Sequence, residues 1–229
     1  MKKVAFIPAR SGSKRFPNKN IKMLGDLPLV CWTLKSFLDS ECFDEVIFSS
    51  DSEQYMDVVH KYISSDKLKF HLRTKDEAGD KVKIFDYIKR NIDIFCEGGI
   101  FSLGLPTCPF RTSDNIKECF DMFVTFNRPV FSAHEYEFPV SFSFSVEGNE
   151  WYPKFVDSPM ISGNTRSQDQ EKFYRPNGGI YIFNSSFIKG DVKTFYETGI
   201  PFLMERENCI DIDDEFDFKM AEFLLNYVL

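Results

Sequence analysis

The chain opens with the stretch Val4-Ala5-Phe6-Ile7-Pro8-Ala9-Arg10-Ser11-Gly12-Ser13-Lys14-Arg15. Its first four residues are apolar and predict a short buried strand, which ends at a proline followed by small residues. Gly12 tolerates unusual dihedral angles and the flanking serines add hydroxyl donors, so backbone amides of this turn are expected to wrap an anion. Arg10, Lys14 and Lys19 supply positive charge around it. The pattern predicts a binding site for a triphosphate.

This turn differs from the common P-loop and from the Gly-x-Gly-x-x-Gly motif, and a basic loop after a first strand is often solvated surface. The run Arg-Ser-Gly-Ser-Lys-Arg-x-Pro-x-Lys-Asn at residues 10–20 resembles the opening signature of the cytidylyltransferases that make CMP-activated acidic sugars. The resemblance is closest to the acylneuraminate branch, which acts on sialic, pseudaminic and legionaminic acids. It favours a binding site over solvated surface and implies an enzyme that uses CTP.

A nucleotide is expected to lie across the edge of the sheet at which parallel strands end, because ligands of open α/β sheets bind there. Arginine suits bidentate phosphate contact and lysine supplies a compact charge. Asp51, after the second strand, is predicted to contact the ribose or cytosine or to cap a helix. The predicted catalytic residues are Arg10, Lys14 and Lys19. The predicted nucleotide-binding residues are Arg10, Ser11, Gly12, Ser13, Lys14, Asn20, Arg73 and Asp80.

The composition bounds the class of protein. With 229 residues, 43% of them hydrophobic, the chain predicts one nucleotidyltransferase domain over residues 1–229. A formal charge of −7 argues against general nucleic-acid binding. No segment approaches the ~20 apolar residues of a membrane span. The six cysteines are scattered without a Cys-x-x-Cys pair, which favours reduced thiols in a cytoplasmic enzyme over a disulfide framework.

Strands and helices alternate through the first half, which predicts a Rossmann-like α/β fold with a mostly parallel central sheet flanked by helices. Residues 141–146 alternate with period two and turn at Glu147-Gly148-Asn149 into residues 150–155, which predicts a hairpin. Residues 135–172 are therefore interpreted as an inserted β-rich arm, with an ordinary sheet edge as the alternative. The acylneuraminate enzymes use such an arm to pair two subunits, so the resemblance implies a homodimer.

Near the C-terminus, Ile210-Asp211-Ile212-Asp213 alternates apolar and acidic residues. On a strand, residues i and i+2 point to one face, so the pattern predicts a late strand with both carboxylates together. Two adjacent carboxylates suit Mg²⁺, which also accepts phosphate oxygens and water. Asp211 and Asp213 are therefore the predicted metal ligands, and the same pattern in the acylneuraminate enzymes supports this. Capping of the following helix is the alternative.

Two further segments carry the resemblance. Asn164-Thr165-Arg166-Ser167-Gln168-Asp169 and Tyr174-Arg175-Pro176-Asn177-Gly178-Gly179 resemble the family's Arg-Gln-Asp and Arg-Pro-Asn-Gly motifs. An acidic sugar presents a carboxylate that suits arginine and hydroxyls that suit amide and phenol groups. The predicted sugar-binding residues are Arg166, Gln168, Tyr174 and Asn177. Arg111, after a Pro-rich loop, is predicted to orient that loop, with approach to the substrate as the alternative.

These patterns together predict CMP transfer from CTP to the anomeric hydroxyl of an acidic nine-carbon sugar, with release of pyrophosphate and with Mg²⁺ as cofactor. Leu105 stands where many relatives have glutamine, and Ala78-Gly79-Asp80-Lys81 replaces a run of small hydroxyl residues. Both departures lie on the substrate side, so the identity of the sugar stays open. The alternatives are a nucleotidyltransferase with another acceptor (Kdo, a phosphonate or a sugar phosphate) and a non-catalytic nucleotide-binding relative.

Overall fold

The computed structural model describes the backbone of residues 1–227 and the side chains of residues 1–226. The strands are β1 (Lys3–Pro8), β2 (Met23–Leu24), β3 (Leu27–Pro28), β4 (Glu45–Ser50), β5 (Leu68–Leu72), β6 (Ile100–Leu103), β7 (Val130–Glu135), β8 (Phe144–Glu147), β9 (Glu150–Pro153), β10 (Tyr174–Asn184) and β11 (Ile200–Leu203). The helices are α1 (Leu29–Asp39), α2 (Glu53–Tyr62), α3 (Ile84–Cys96), α4 (Ser113–Phe126), α5 (Pro159–Ser162), α6 (Ser185–Lys189) and α7 (Glu215–Tyr227). No helix in this part of the chain is long and apolar enough to cross a membrane.

Seven strands form one sheet in the order β11-β7-β10-β6-β1-β4-β5. β1 pairs in parallel with β4 and β6, β4 with β5, and β7 with β11, whereas β10 runs antiparallel to β6. The prediction of a mostly parallel sheet flanked by helices is thereby confirmed. Because β6, β1, β4 and β5 are parallel, the segments that follow them meet at one edge of the sheet.

Strand β1 is buried on both faces, as its unbroken apolar run predicts. Ala5 and Ile7 pack with apolar residues of α1, α2 and α4 on one face of the sheet. Val4 and Phe6 pack with residues of α3 and α6 on the other. Two layers of helices therefore hold the sheet, and the N-terminal loop projects from its most buried strand.

Three details differ from the sequence-based expectations. Residues 210–213 form no strand: this extended segment follows a 3₁₀ turn at Arg206–Cys209 and precedes α7. The sequence predicts Ser113 as the N-cap of a helix from about Asp114, but in the structure Thr112 is the N-cap of α4, in a capping box with Asn115, and the helix begins at Ser113. Strand β7 was not predicted, because its sequence Val-Phe-Ser-Ala-His-Glu lacks strict alternation.

The chain divides into two compact units, of which the second is His134–Arg175. The second unit contains the predicted hairpin, with Phe144 opposite Pro153 and Glu147 opposite Glu150. Phe144 packs edge-on against Trp151, with ring centroids 5.7 Å apart. This unit matches the position of the inserted arm, and its role in subunit pairing stays a prediction.

Candidate active site

Hydrogen bonds to β4 and within the loop itself hold the N-terminal loop at the carboxyl end of β1. The backbone nitrogen of Ala9 donates to the backbone oxygen of Ser49, 2.8 Å away, which continues the pairing of β1 with β4. Asn20 is buried, and its Nδ2 atom donates to the backbone oxygen of Arg10 across 3.0 Å. Asn20 was predicted to bind the nucleotide; the structure gives its amide nitrogen a contact that shapes the loop.

Asp51 holds the loop from the neighbouring strand. Its Oδ1 atom accepts from the backbone nitrogen of Ser11 and its Oδ2 atom from the Ser11 hydroxyl, both at 2.8 Å. Burial would raise the pKa of Asp51, but the two hydrogen bonds from Ser11 outweigh it and lower the pKa. Helix α2 is capped by Ser52 instead. The Asp51 carboxylate therefore binds the N-terminal loop and does not cap helix α2. The sequence signal for this contact was the position of Asp51 at the end of β4, the strand parallel to β1.

The expectation that three loop amides face an anion is corrected by these contacts. The Ser11 nitrogen is bound by Asp51, and the Ser13 nitrogen donates to the backbone oxygen of Ser11 across 3.0 Å. Gly12 has open space around its Cα atom. Of the amides of residues 11–13, that of Gly12 alone lacks a hydrogen-bond partner among residues 1–227, so anion binding by these three residues is limited to one backbone donor and the cationic side chains carry most of it.

The loop meets the C-terminal acidic segment. The Nζ atom of Lys19 donates to the backbone oxygen of Ile212, and it lies 3.7 Å from Oδ1 of Asp213. Arg15 also pairs with Asp213, across 3.0 Å. Burial lowers the pKa of Lys19, while the carboxylates of Asp213 and Asp211 act in the opposite direction. The structure thus brings together the two elements that the proposed chemistry requires.

The remaining loop cations face another carboxylate. Nη1 of Arg10 lies 2.8 Å from Oδ1 of Asp80, and Lys14 pairs with Oδ2 of the same side chain. The hydrogen bond from Lys14 lowers the pKa of Asp80. All three side chains are substantially exposed. Asp80 was predicted to bind the nucleotide; in the structure its carboxylate is the partner of two cations of the loop.

Two adjoining cavities open at this edge of the sheet and share Pro8, Arg10 and Leu105. One has a volume of about 230 Å³ and a strongly cationic lining that includes the acid Asp213. Its charged lining residues are Arg10, Lys14, Arg15, Lys19 and Asp213. The other, of about 300 Å³, is lined by two cations and two acids, Arg10, Arg73, Glu77 and Asp80, whose charges balance, together with apolar and aromatic side chains. The first suits a polyphosphate and the second a flat, less charged group.

Arg73 forms the inner wall of the larger cavity. Its side chain is 7% exposed, and Nη2 donates to the backbone oxygen of Ser49 across 3.3 Å. The guanidinium lies 5.6 Å from the centroid of the Tyr87 ring, and burial raises the pKa of Tyr87 to about 12. The buried Nε atom of Arg73 has no hydrogen-bond partner among residues 1–227. Sequence reasoning singled out Arg73 and missed Tyr87, which only helix α3 brings to this wall.

Arg111 fixes the loop that follows β6. It is 2% exposed, and its Nη2 atom donates to the backbone oxygens of Leu105 and Cys108. The same loop presents the backbone oxygen of Thr107 to the backbone nitrogen of Ile212, 2.8 Å away. The structure therefore supports the loop-orienting interpretation of Arg111, and the loop in turn holds the acidic segment.

The predicted metal ligands are two carboxylates on one exposed stretch of backbone. Ile212 between them is fully buried, while Asp211 is exposed and Asp213 partly so. Both act on the charge of Lys19, and Asp213 lines the cationic cavity. Residues 1–227 contain no group of three or more His, Cys, Asp or Glu residues placed to hold a metal ion. A carboxylate at the wall of a phosphate-sized cavity, with a second one two residues away in the chain, fits Mg²⁺, which completes its shell with phosphate oxygens and water.

Asn177 is corrected to a structural residue. It is 5% exposed, and its Oδ1 atom accepts from the hydroxyl of Ser132 and from the backbone nitrogen of Gly179. Its Nδ2 atom contacts the sulfur of Cys209 at 3.0 Å. The amide is thus consumed inside the protein, and no polar atom of it is left to reach a sugar hydroxyl.

The other predicted sugar-binding residues, Arg166, Gln168 and Tyr174, lie in the second unit. Arg166 Nε lies 3.6 Å from Asp169 Oδ2, and its side chain is 69% exposed. Tyr174 is 46% exposed. Gln168 is also exposed, and the role of all three residues in sugar binding stays a prediction.

A parallel sheet that ends in a cationic loop, faced by carboxylates from a distant segment, defines an α/β protein of the nucleotidyltransferase type. A cytidylyltransferase family model matches residues 4–146. The chain therefore belongs to the cytidylyltransferase family, and the curated proteins to which it is similar include enzymes named for acylneuraminate and legionaminic acid.

The chain is 34% identical to an N-acylneuraminate cytidylyltransferase of Escherichia coli O18:K1:H7 over 95% of its own length, but it spans only 51% of that relative. It is 30% identical to a CMP-N,N'-diacetyllegionaminic acid synthase of Legionella pneumophila, with 98% of this chain and 97% of the relative covered. Among solved structures, a CMP:2-keto-3-deoxy-manno-octonic acid synthetase complexed with CTP has a TM-score of 0.69 at 13% identity, covering 100% of both chains. That structural likeness supports the fold.

Proposed function

We propose that this protein transfers CMP from CTP to the anomeric hydroxyl of a nonulosonic acid, a nine-carbon acidic sugar, and releases pyrophosphate. The observation that carries the proposal is the meeting of Lys19 with the 211–213 segment beside a cavity lined by four cations. Family membership supplies the nucleotide, and the names of the relatives indicate the class of sugar.

The two cavities suit the two parts of CTP. The smaller cavity offers guanidinium and ammonium groups for the triphosphate. The larger one offers Arg73 and the ring of Tyr87 to the cytosine and ribose. Because the cavities share Arg10, one ligand spanning both would carry its α-phosphate near that side chain.

In the proposed reaction the anomeric hydroxyl oxygen of the sugar attacks the α-phosphorus and gives up its proton to solvent. The bond between the α-phosphorus and the oxygen that bridges to the β-phosphorus breaks, and that oxygen leaves with pyrophosphate. Charge then accumulates on the leaving pyrophosphate, and positioned cations stabilise it. Arg10 and Lys14 are exposed and pair with the exposed Asp80, so they can move to the phosphates, whereas Lys19 is fixed by Ile212. Lys19 is therefore assigned to hold charge at one position and the other two to bind the triphosphate.

Asp211 and Asp213 are the residues that would hold Mg²⁺. When bound, this ion supplies charge neutralisation on the phosphate oxygens. Arg15 and Lys19, which now neutralise Asp213, keep that carboxylate directed at the cavity. In this proposal the two carboxylates orient the triphosphate through the metal ion, and Arg15 and Lys19 hold the Asp213 carboxylate in place.

Subunit pairing through the second unit is part of the proposal. This unit exposes a set of large apolar side chains that a monomer would leave in water. They include Phe138 at 60%, Phe144 at 50%, Trp151 at 45%, Tyr152 at 48% and Val156 at 98% exposure.

We also place the enzyme in the cytoplasm, which accords with the absence of a disulfide among its six cysteines within residues 1–227.

The decisive experiment measures pyrophosphate release from CTP and Mg²⁺ with a panel of acceptors. The panel contains sialic, legionaminic and pseudaminic acids, and Kdo as the comparison with an eight-carbon acid. Turnover with at least one nine-carbon acid, and a smaller rate with UTP, GTP and ATP, is the expected result. Turnover with Kdo alone would mean that the acceptor is an eight-carbon acid and not a nine-carbon one. No turnover with any acid would overturn the proposal.

A further inference from the structure

Asp80 pairs with two exposed cations of the N-terminal loop, Arg10 and Lys14, at the same time. One carboxylate oxygen accepts from Arg10 across 2.8 Å and the other is paired with Lys14. Asp80 lies on the turn between β5 and α3, 70 residues from Arg10 in the sequence. The side chain therefore bridges two separate segments of the site.

The bridge lies where an anionic ligand would bind. Arg10 lines both cavities, Lys14 lines the cationic one, and Asp80 lines the larger one. A carboxylate that accepts hydrogen bonds from both cations takes up N–H groups that could otherwise donate to a phosphate. Its negative charge also repels a phosphate brought close to it.

We propose that Asp80 is an internal competitor for the triphosphate: its carboxylate must leave Arg10 and Lys14 before the nucleotide binds, and it returns when pyrophosphate departs. The proposal rests on the proposed function for the identity of the ligand. It reverses the sequence-based prediction for Asp80, since the side chain opposes anion binding instead of contributing to it.

The exposure of the three side chains sets how much Asp80 lowers the affinity for the triphosphate. Arg10 is 43%, Lys14 79% and Asp80 40% exposed, so each ion pair is weak and easily replaced by a phosphate. Loss of two such pairs corresponds to an affinity change of about two- to tenfold. An effect of this size leaves the ligand able to bind and makes pyrophosphate easier to release.

The test measures dissociation constants by calorimetry for CTP and for pyrophosphate, each with Mg²⁺, on the full chain. Asp80→Asn keeps the shape of the side chain and removes its charge, and Asp80→Ala is the second variant. Asp76→Asn is the matched control, because Asp76 is an exposed acid of the same turn that pairs with neither Arg10 nor Lys14. It makes the same change in net charge four positions away.

Both Asp80 variants are expected to bind CTP and pyrophosphate about two- to tenfold more tightly than the wild type, with less than a twofold change for Asp76→Asn. Inhibition by pyrophosphate should strengthen by the same factor. Unchanged or weaker binding in the Asp80 variants would overturn the proposal, as would an equal gain in Asp76→Asn. Tight binding without turnover would contradict the proposed function and leave this inference standing, whereas absence of binding in every protein would overturn both.

Discussion

The Nζ atom of Lys19 lies 2.5 Å from the backbone oxygen of Ile212, although 193 residues separate them in the sequence. Lys19 belongs to a short 3₁₀ turn after the cationic loop, and Ile212 is buried between two acids. The contact fixes a charged side chain beside Asp213 at the wall of the cationic cavity. It is the link between the loop and the acidic segment on which the proposed mechanism depends.

Replacement of Lys19 by methionine should separate catalysis from stability. Turnover should fall at least about a hundredfold, because one fixed donor to the developing charge is lost. Burial lowers the pKa of Lys19, so the charged amine costs folding free energy near neutral pH, and its removal offsets part of the lost hydrogen bond. Pyrophosphate-release assays and thermal unfolding check this. A large loss of stability with retained turnover would contradict the assignment.

Replacement of Asp51 should act through the shape of the loop. Asp51→Ala removes both acceptors of Ser11 and should raise the KM for CTP about tenfold. Asp51→Asn keeps an acceptor for the Ser11 nitrogen and should stay within about threefold of the wild type. Steady-state kinetics distinguish the two variants, and equal KM values in Asp51→Ala and the wild type would contradict the role.

The same carboxylate predicts a pH dependence of stability. The folded-state pKa of Asp51 lies below its ordinary value of 3.8, so ionised Asp51 stabilises the fold above that pH. This contribution is lost as the pH falls from 3.8 through the lower folded-state pKa. Urea unfolding between pH 5 and pH 2.5 should therefore show a steeper loss in the wild type than in Asp51→Asn. Parallel curves for the two proteins would contradict this.

Arg111→Met should destabilise the fold. The backbone oxygens of Leu105 and Cys108 lose the guanidinium donor, and that of Leu105 keeps only a 3.5 Å contact from the Cys108 nitrogen, which lowers the free energy of unfolding by about 2–3 kcal/mol. Arg128→Met is the matched control, because Arg128 donates to a single backbone oxygen, that of Thr198, at the surface. Its effect should stay within about 0.5 kcal/mol. Chemical denaturation measures both, and equal effects would argue against a special role for Arg111.

Removal of the divalent cation should abolish turnover, and added Mg²⁺ should restore it. Asp211→Asn and Asp213→Asn should each lower turnover at least about a hundredfold at saturating CTP. Asp214→Asn is the control for the helix-capping alternative, since Asp214 accepts from Phe216 at the start of α7 and asparagine caps equally well. Activity that survives chelation, or an equal loss in Asp214→Asn, would count against a metal role.

Subunit pairing can be tested on the exposed face of the second unit. Phe144→Asp and Trp151→Asp should convert a dimer into a monomer in light scattering, because each places a charge in an apolar contact. Val124→Asp on α4 is the control, an apolar residue that is 59% exposed outside that unit. A wild type that is already monomeric at micromolar concentration would refute the pairing.

The sequence by itself determined the elements and the cationic loop. The apolar run Val4–Ile7, the small residues after it and the alternation of helix and strand patterns depend on neighbours in the chain. These local signals were sufficient to predict the mostly parallel sheet and to indicate at which end of its strands the candidate site lies. They also singled out Asp211 and Asp213, whose spacing leaves Ile212 buried between two carboxylates that remain at least partly exposed.

Only the tertiary structure decided which polar groups meet. Residues 210–213 are not a strand, because the Ile212 nitrogen finds its acceptor on Thr107, in the loop after β6, instead of on a neighbouring strand. Asp51 is bound to Ser11, Asp80 to Arg10 and Lys14, and the Asn177 amide is enclosed in the core. Each is a contact between segments far apart in the chain, chosen by burial and by the need to satisfy hydrogen bonds, and a local pattern carries no record of its partner.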